Sequence, residues 1–287
     1  MVLIEYLFVL PFSLEELRRA LPYANARQRL ELTSTSSNGE QVTTVKHEPF
    51  NGVPPVVRDK GRYPDRELLA AKGMITVNRL YLGTRFPRWA RALVPESYLY
   101  VKEEYYDSYP YTMCRYSSEA LPHLADFTIE SVHMDGLHVD KRDVFGAPGT
   151  GAKDKPAKVC VVDITRAAPN EGNVWQGDPC VVQLPRPFNQ RGPLPRSTAD
   201  TPWWIEYETK FPDAPLMTVF KRSHVSIALP WASKVERFTQ KSTVRNIGVL
   251  SFRNLYCWLP DWHGMSLDDV HKYCDAIMKV PPMTPST

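Results

Sequence analysis

Residues 231–278 constrain this chain most, because they read as a long helix, a hinge and a shorter helix. From Trp231 the apolar residues step by three or four: Val235, Phe238, then Val249, Phe252, Tyr256 and Leu259. A second row, Val244, Ile247, Leu255 and Trp258, runs beside the first. Two adjacent rows make a wide apolar face, as a helix lying on a sheet requires. Unbroken to Leu259, this helix has about 29 residues and spans roughly 43 Å. Gly248 inside it costs about 1 kcal/mol relative to alanine. Pro260 is expected to stop the helix, and Trp262-His263-Gly264 to turn the chain. Ser266 and Asp269 then resemble a capping box for a second helix, with Leu267, Val270, Cys274 and Ile277 on one face. Pro260 and Gly264 are the expected hinge of a lid.

The chain has 287 residues, 43% of them hydrophobic, enough for one large domain or two small ones. Its net charge of +3, with no dense Lys/Arg run, does not argue for a nucleic-acid partner. Five cysteines (Cys114, Cys160, Cys180, Cys257, Cys274) are scattered and never form CxxC. That pattern suits a reducing compartment and argues against a disulfide framework or a zinc site. The opening apolar run is interrupted by Glu5 and lacks a basic start and a small-residue cleavage site, so it reads as a strand and not a signal segment. No apolar run approaches the about 18 residues that a membrane span needs. A soluble, cytoplasmic protein is the expectation.

Residues 2–10 are apolar on both faces apart from Glu5, which predicts a buried strand. Ser13 and Glu16 form a capping box for a short helix over 14–21. Further strands are expected at 41–50, 74–82, 98–106, 127–133 and 159–164, with a short helix at 88–93. Residues 33–41 and 54–66 read as loops. Two longer loops, 136–156 and 166–215, are expected to be functional or disordered. Strands first and long helices last indicate α+β, with helices on one face of an antiparallel sheet.

Catalytic and metal motifs fail on spacing. Gly146 to Asp154 is rich in glycine, but Ala152 separates Gly151 from Lys153 and no hydroxyl follows the lysine, so the segment is not a phosphate loop. His133 with His138, and His263 with His271, lack the i, i+4 spacing of paired helix ligands. No GxSxG is present, and nothing argues for catalysis. Seven tyrosines lie between Tyr98 and Tyr116; they are either strand packing or the lining of a pocket.

Met1-Val2-Leu3, Glu5-Tyr6, Leu10-Pro11, Tyr109-Pro110-Tyr111-Thr112 and Cys257-Trp258-Leu259, taken in order with the segments between them, resemble the small, single-domain phosphatidylinositol transfer proteins. Met1-Val2-Leu3, Glu5-Tyr6 and Leu10-Pro11 are similar to the family's first strand, and Glu48-Pro49-Phe50 to its Asn-Glu-Pro-Tyr segment. Pro95-Glu96, Tyr109-Pro110-Tyr111-Thr112, Phe127-Thr-Ile-Glu130-Ser131, Val162-Asp163-Ile164, Arg191-Gly192-Pro193-Leu194 and Lys234-Val235-Glu236 follow in register. Cys257-Trp258-Leu259, with Trp262 and Asp268-Asp269, is the most specific stretch. The resemblance implies a START-like helix-grip fold, a concave and mostly antiparallel sheet with long C-terminal helices enclosing a lipid cavity. It implies one lipid-transfer domain over 1–279; the tail at 280–287, which departs from the family's longer C-terminal helix, is expected to be disordered. It implies exchange of phosphatidylinositol or phosphatidylcholine between membranes by a monomer that touches the membrane transiently. The phospholipid is cargo, and no cofactor, metal or enzyme activity is expected.

The resemblance carries over to a head-group set of Thr76, Asn78, Asp107, Cys114, Ser131 and Cys274. Thr76 matches the family's threonine, and Ser131 keeps a hydroxyl. Asn78 stands for lysine, Asp107 for asparagine, Cys114 for threonine and Cys274 for glutamate. Cys274 reads equally as a small buried hydrophobe. The family's membrane-contacting Trp-Trp pair is not Trp203-Trp204, which falls too early; the matching position gives Leu229 and Trp231 as the membrane contact. Packing of Trp231 at the helix entry is the competing reading. Two other functional classes stay open: a helix-grip enzyme, cyclase-like, on a hydrophobic ligand, and a regulatory module that senses lipid without moving it.

Overall fold

The computed structural model describes residues 2–35, 41–52, 72–81, 100–118, 125–141, 144–145, 158–166, 177–227 and 245–278. The expected membrane contact (Leu229, Trp231), the first part of the long C-terminal helix, the 88–93 helix and the tail at 280–287 lie outside the described residues.

One eight-stranded sheet carries the architecture. Its strands are β1 (Val2–Leu10), β2 (Gln41–Asn51), β3 (Lys72–Tyr81), β4 (Tyr100–Ser108), β5 (Tyr111–Ser118), β6 (Ala125–Asp135), β7 (Lys158–Val162) and β8 (Met217–Ile227). Their order is β2-β3-β4-β5-β6-β8-β1-β7. Only β1 and β7 pair in parallel, so the sheet is mostly antiparallel, as expected. β1 lies between β8 and β7, which explains its apolar residues on both faces: Tyr6, Leu7, Phe8, Val9 and Leu10 are all buried.

Among the described residues five α-helices accompany the sheet: α1 (Leu14–Thr35), α2 (Trp203–Lys210), α3 (Arg245–Cys257), α4 (Leu259–Trp262) and α5 (Leu267–Met278). The α1 capping box forms as expected: the Ser13 amide donates to Glu16 Oε2 (2.8 Å) and the Glu16 amide to Ser13 Oγ (3.2 Å). The helix does not end at residue 21, however. It continues through Pro22 to Thr35, because α5 packs along it. Tyr23 stacks on Tyr273 at 4.9 Å, and the Cys274 thiol donates to the Pro22 carbonyl at 3.4 Å. Tertiary contact thus holds a helix whose interior proline would break it in isolation.

Pro260 also acts differently from expectation. The helix ends at Cys257, and Pro260 lies in the first turn of the one-turn helix α4, where its missing N–H has no helical partner to lose. Ser266 caps α5 as expected, accepting from the Asp269 amide at 3.1 Å while its own amide donates to Asp269 Oδ2 at 3.2 Å. Val270, Cys274 and Ile277 are buried on the face read from the sequence.

Three elements lay unassigned in the sequence: β5, β8 and α2. The last sits in the stretch 166–215 that was expected to be loop. Its Trp203, Trp204 and Tyr207 are buried together with Leu184 and Leu194, so these side chains of that stretch belong to the core. That burial agrees with setting Trp203-Trp204 aside as a membrane contact. His133 and His138 bond to backbone carbonyls, and among the described residues no group of side chains is arranged to hold a metal.

Helix α3 lies against β1. Phe252 meets Phe8 edge-on with ring centroids 4.9 Å apart, a geometry worth about 0.5–1.5 kcal/mol beyond burial. Gly248, one turn earlier, allows the approach: a Cβ there would lie 2.8 Å from Phe8 Cζ, and Phe8 is fully buried. The glycine is therefore a packing requirement. Gly248→Ala is expected to destabilise the protein by about 1–3 kcal/mol through overpacking, although helix propensity alone favours alanine by about 1 kcal/mol. Chemical denaturation of the two proteins checks the sign.

Candidate functional site

Residues directly opposed in neighbouring strands point to the same face, so the register sorts the expected head-group residues. One row across the sheet reads Asp107, Thr112, Ser131, Lys221 and Tyr6. The next reads Thr76, Tyr105, Cys114, Ile129 and Ser223, and a third reads Asn78, Glu103 and Tyr116. Thr76, Asn78, Asp107, Cys114 and Ser131 thus share one face, in three adjacent rows.

Helices cover that face. The Leu14 amide, at the start of α1, donates to Asp135 Oδ1 on β6 (2.6 Å). Near its other end, Arg29 bonds the Thr44 hydroxyl and donates to the Val42 carbonyl on β2 (3.2 Å). With 22 residues α1 is about 33 Å long, more than the roughly 19 Å of four strand spacings it crosses. The central residues beneath it, Glu103, Tyr105, Asp107, Cys114 and Tyr116, are half-buried, each keeping accessible surface. Burial nevertheless pushes the Cys114 thiol and the Tyr105 and Tyr116 phenols well above their ordinary values.

Polar groups form a chain along the covered face. Thr44 Oγ1 donates to Asn78 Oδ1 (2.8 Å), and Asn78 Nδ2 donates to Glu103 Oε2 (2.8 Å). The Cys114 thiol donates to the other Glu103 oxygen at 3.5 Å. Thr76 Oγ1 is 2.9 Å from His47 Nδ1. Asp107 accepts from the Tyr109 amide at 3.2 Å; burial still raises its carboxyl pKa, against the pull of that amide, His271 and Arg18.

Lys221 lies at the centre of the first row. Its Nζ donates to Ser131 Oγ at 3.0 Å and sits 5.6 Å from the Phe252 ring centroid. Burial depresses its pKa to about 8. Among the described residues no carboxylate pairs with it; a neutral hydroxyl and a ring face are poor compensation for a buried ammonium. Lys221 and Ser131 are hydrogen-bonded neighbours on the covered face.

Cys274 stands apart. It lies in the α1–α5 seam with its thiol turned to Pro22, the packed position that its sequence also allowed. Sequence reasoning missed Lys221, Glu103, Arg29 and His47. The available signal was the lysine of β8, set in a stripe with the buried Val219 and Val225.

The comparisons now bear on the site. A family model described as Phosphatidylinositol transfer protein matches residues 1–279. The chain belongs to that family. It is 30% identical over 275 residues to phosphatidylinositol transfer protein 2 of Dictyostelium discoideum, covering 95% of this chain and 92% of that protein. It is 28% identical over 280 residues to cytoplasmic phosphatidylinositol transfer protein 1 of Xenopus tropicalis, covering 95% and 72%. A match of 26% identity over 285 residues to protein retinal degeneration B of Drosophila melanogaster covers only 20% of that longer protein. Membership agrees with the α+β helix-grip architecture found here. No described helix is long and apolar enough to cross a membrane.

The charge state of Lys221 is open to measurement. In protein stripped of lipid, its amine is expected to titrate near 8 by NMR, and to move upward when a phosphodiester lipid binds, because a nearby anion favours the charged form. A titration at the ordinary lysine value of 10.5 in the empty protein would remove Lys221 as the partner of that anion.

Proposed function

We propose that this protein carries one glycerophospholipid between membranes, with its phosphate against Lys221 and Ser131 and its acyl chains beneath α1. The observation that carries this reading is the interior ammonium, without a carboxylate partner among the described residues, on the face that the helices cover. A phosphodiester supplies the missing negative charge and acceptor oxygens in one group. Phosphatidylinositol and phosphatidylcholine both present that group. Thr76, Asn78, Asp107 and Cys114 face the part of the head group beyond it.

Carriage needs no bond to be broken; it needs an apolar enclosure. Two acyl chains of about 30 methylenes, at ~0.8 kcal/mol each, resist leaving a bilayer by roughly 25 kcal/mol. Water offers no compensation, so release and capture occur with the protein docked. Leu229 and Trp231 are the residues we propose for that contact, since exposed tryptophan suits the membrane interface. The protein then works as a cytoplasmic monomer that visits the membrane surface.

Native mass spectrometry of the purified protein is expected to show one co-purifying phospholipid. Lys221→Met is expected to lower phospholipid loading and vesicle-to-vesicle transfer at least about ten-fold, the scale of a lost charge-assisted bond. Its thermal midpoint should stay equal or rise, because a buried charge is removed. Full loading of the methionine variant would overturn the assignment of the phosphate site.

A further inference from the structure

His263 marks the junction between α4 and α5, and its imidazole reaches back to the start of α1. His263 Nε2 is 2.9 Å from Glu16 Oε1. A carboxylate only accepts, so Nε2 carries a proton and donates. Glu16 is buried and takes a fork from Arg191, Nη1 to Oε1 at 2.7 Å and Nη2 to Oε2 at 3.0 Å. The Arg191 carbonyl in turn accepts from Tyr256 of α3 (2.6 Å) and Tyr207 of α2 (3.1 Å). One carboxylate therefore ties α1, the turn Phe188–Arg191, α2, α3 and the α4–α5 junction together. Among its described partners His263 is the one whose charge can change, because a neutral imidazole can take a second proton whereas arginine does not deprotonate.

We propose that His263 is a positioning residue, a proton-dependent pin that sets how readily the α4–α5 junction leaves α1 and hence how fast cargo is exchanged. The proposal rests on the lipid-transfer reading given above. With a neutral ring the bond to Glu16 is an ordinary ion–dipole bond; a second proton on the ring makes it charge-assisted and stronger. The charged groups facing the ring set the size of the effect. Glu16 attracts, and Arg191 offsets part of that attraction. Arg19, whose Nη1 donates to the His263 carbonyl (3.4 Å) and the Met265 carbonyl (3.2 Å), also repels. Asp261 is engaged by Arg27 and Asp269 by Ser266, so neither competes for the ring. Phe188 and Trp262 flank the imidazole at 5.0 and 5.9 Å and hold it in place. Lower pH therefore tightens the pin and slows exchange.

The test compares wild type with His263→Gln, whose amide can donate at the same place without gaining charge. Transfer is measured between phosphatidylcholine vesicles, whose surface does not titrate between pH 7.5 and 5.5. Wild type is expected to slow by roughly three- to ten-fold across that range, the scale of one partly screened charge-assisted bond. The glutamine variant should match wild type at pH 7.5 and slow by less than about two-fold. Buried Glu130, whose pKa is raised to about 7, titrates in both proteins and cancels from the difference. Parallel pH profiles would overturn the pin. Should wild type move no lipid at all, the transfer reading falls, and amide hydrogen exchange over residues 259–270 still judges the pin. Protection in wild type should rise at pH 5.5 relative to the variant, and equal changes would sink it.

Discussion

The ladder between β6 and β8 places Ser131 opposite Lys221 and, through the neighbouring ladders, decides the face of every polar side chain in the site. Side chains alternate along a strand, so slipping this pairing by one residue would turn Lys221 to the other side and bring Arg222 to the covered face. On the opposite face Glu130 stands across this ladder from Arg222, whose charge draws the Glu130 carboxyl pKa down against burial, and that attraction opposes such a slip. Arg222 is held by Glu5 at 2.6 Å on the neighbouring β1, and Tyr111 donates to the buried Glu130 at 2.7 Å. Charge attraction on one face thus secures Lys221 on the other.

Helix α1 turns that face into an interior. It is tied at one end to β6 through Asp135 and at the other to β2 through Arg29, so it spans the sheet and does not nest along a single strand. At the β1 end, α3 packs tightly, with Gly248 admitting the Phe8 ring and Phe252 meeting it edge-on. Under α1 the packing is different: the central side chains are polar and keep accessible surface. The sealed apolar end anchors the sheet to α3, and the accessible polar middle is the part of the covered face that can receive a head group.

Much of the local structure was legible in the chain. Capping residues at Ser13 and Ser266, the doubly apolar β1 and the buried stripe of α5 follow from spacing and hydrogen-bonding chemistry that operate within a few residues. β8 was not legible, because its alternation is broken by Lys221, Arg222, Ser223 and His224, polar residues on both faces. The same lysine that hid the strand forms the centre of the site. Pro22 misled in the opposite sense, since its cost to α1 is offset by packing with α5, at positions about 250 residues away. The stretch 166–215, rich in proline, concealed α2, whose two tryptophans join the core.

The sequence by itself determined the class of fold and, through its resemblance to the family, named five side chains that the strand register then places on one face. Only the tertiary structure decided that Cys274 turns away into a helix seam, that Lys221 stands beside Ser131 with no carboxylate partner among the described residues, and that His263 reaches Glu16 across the molecule. Those outcomes depend on strand order and helix docking. Contacts between residues far apart in the chain are set by global packing, which no short window of sequence records.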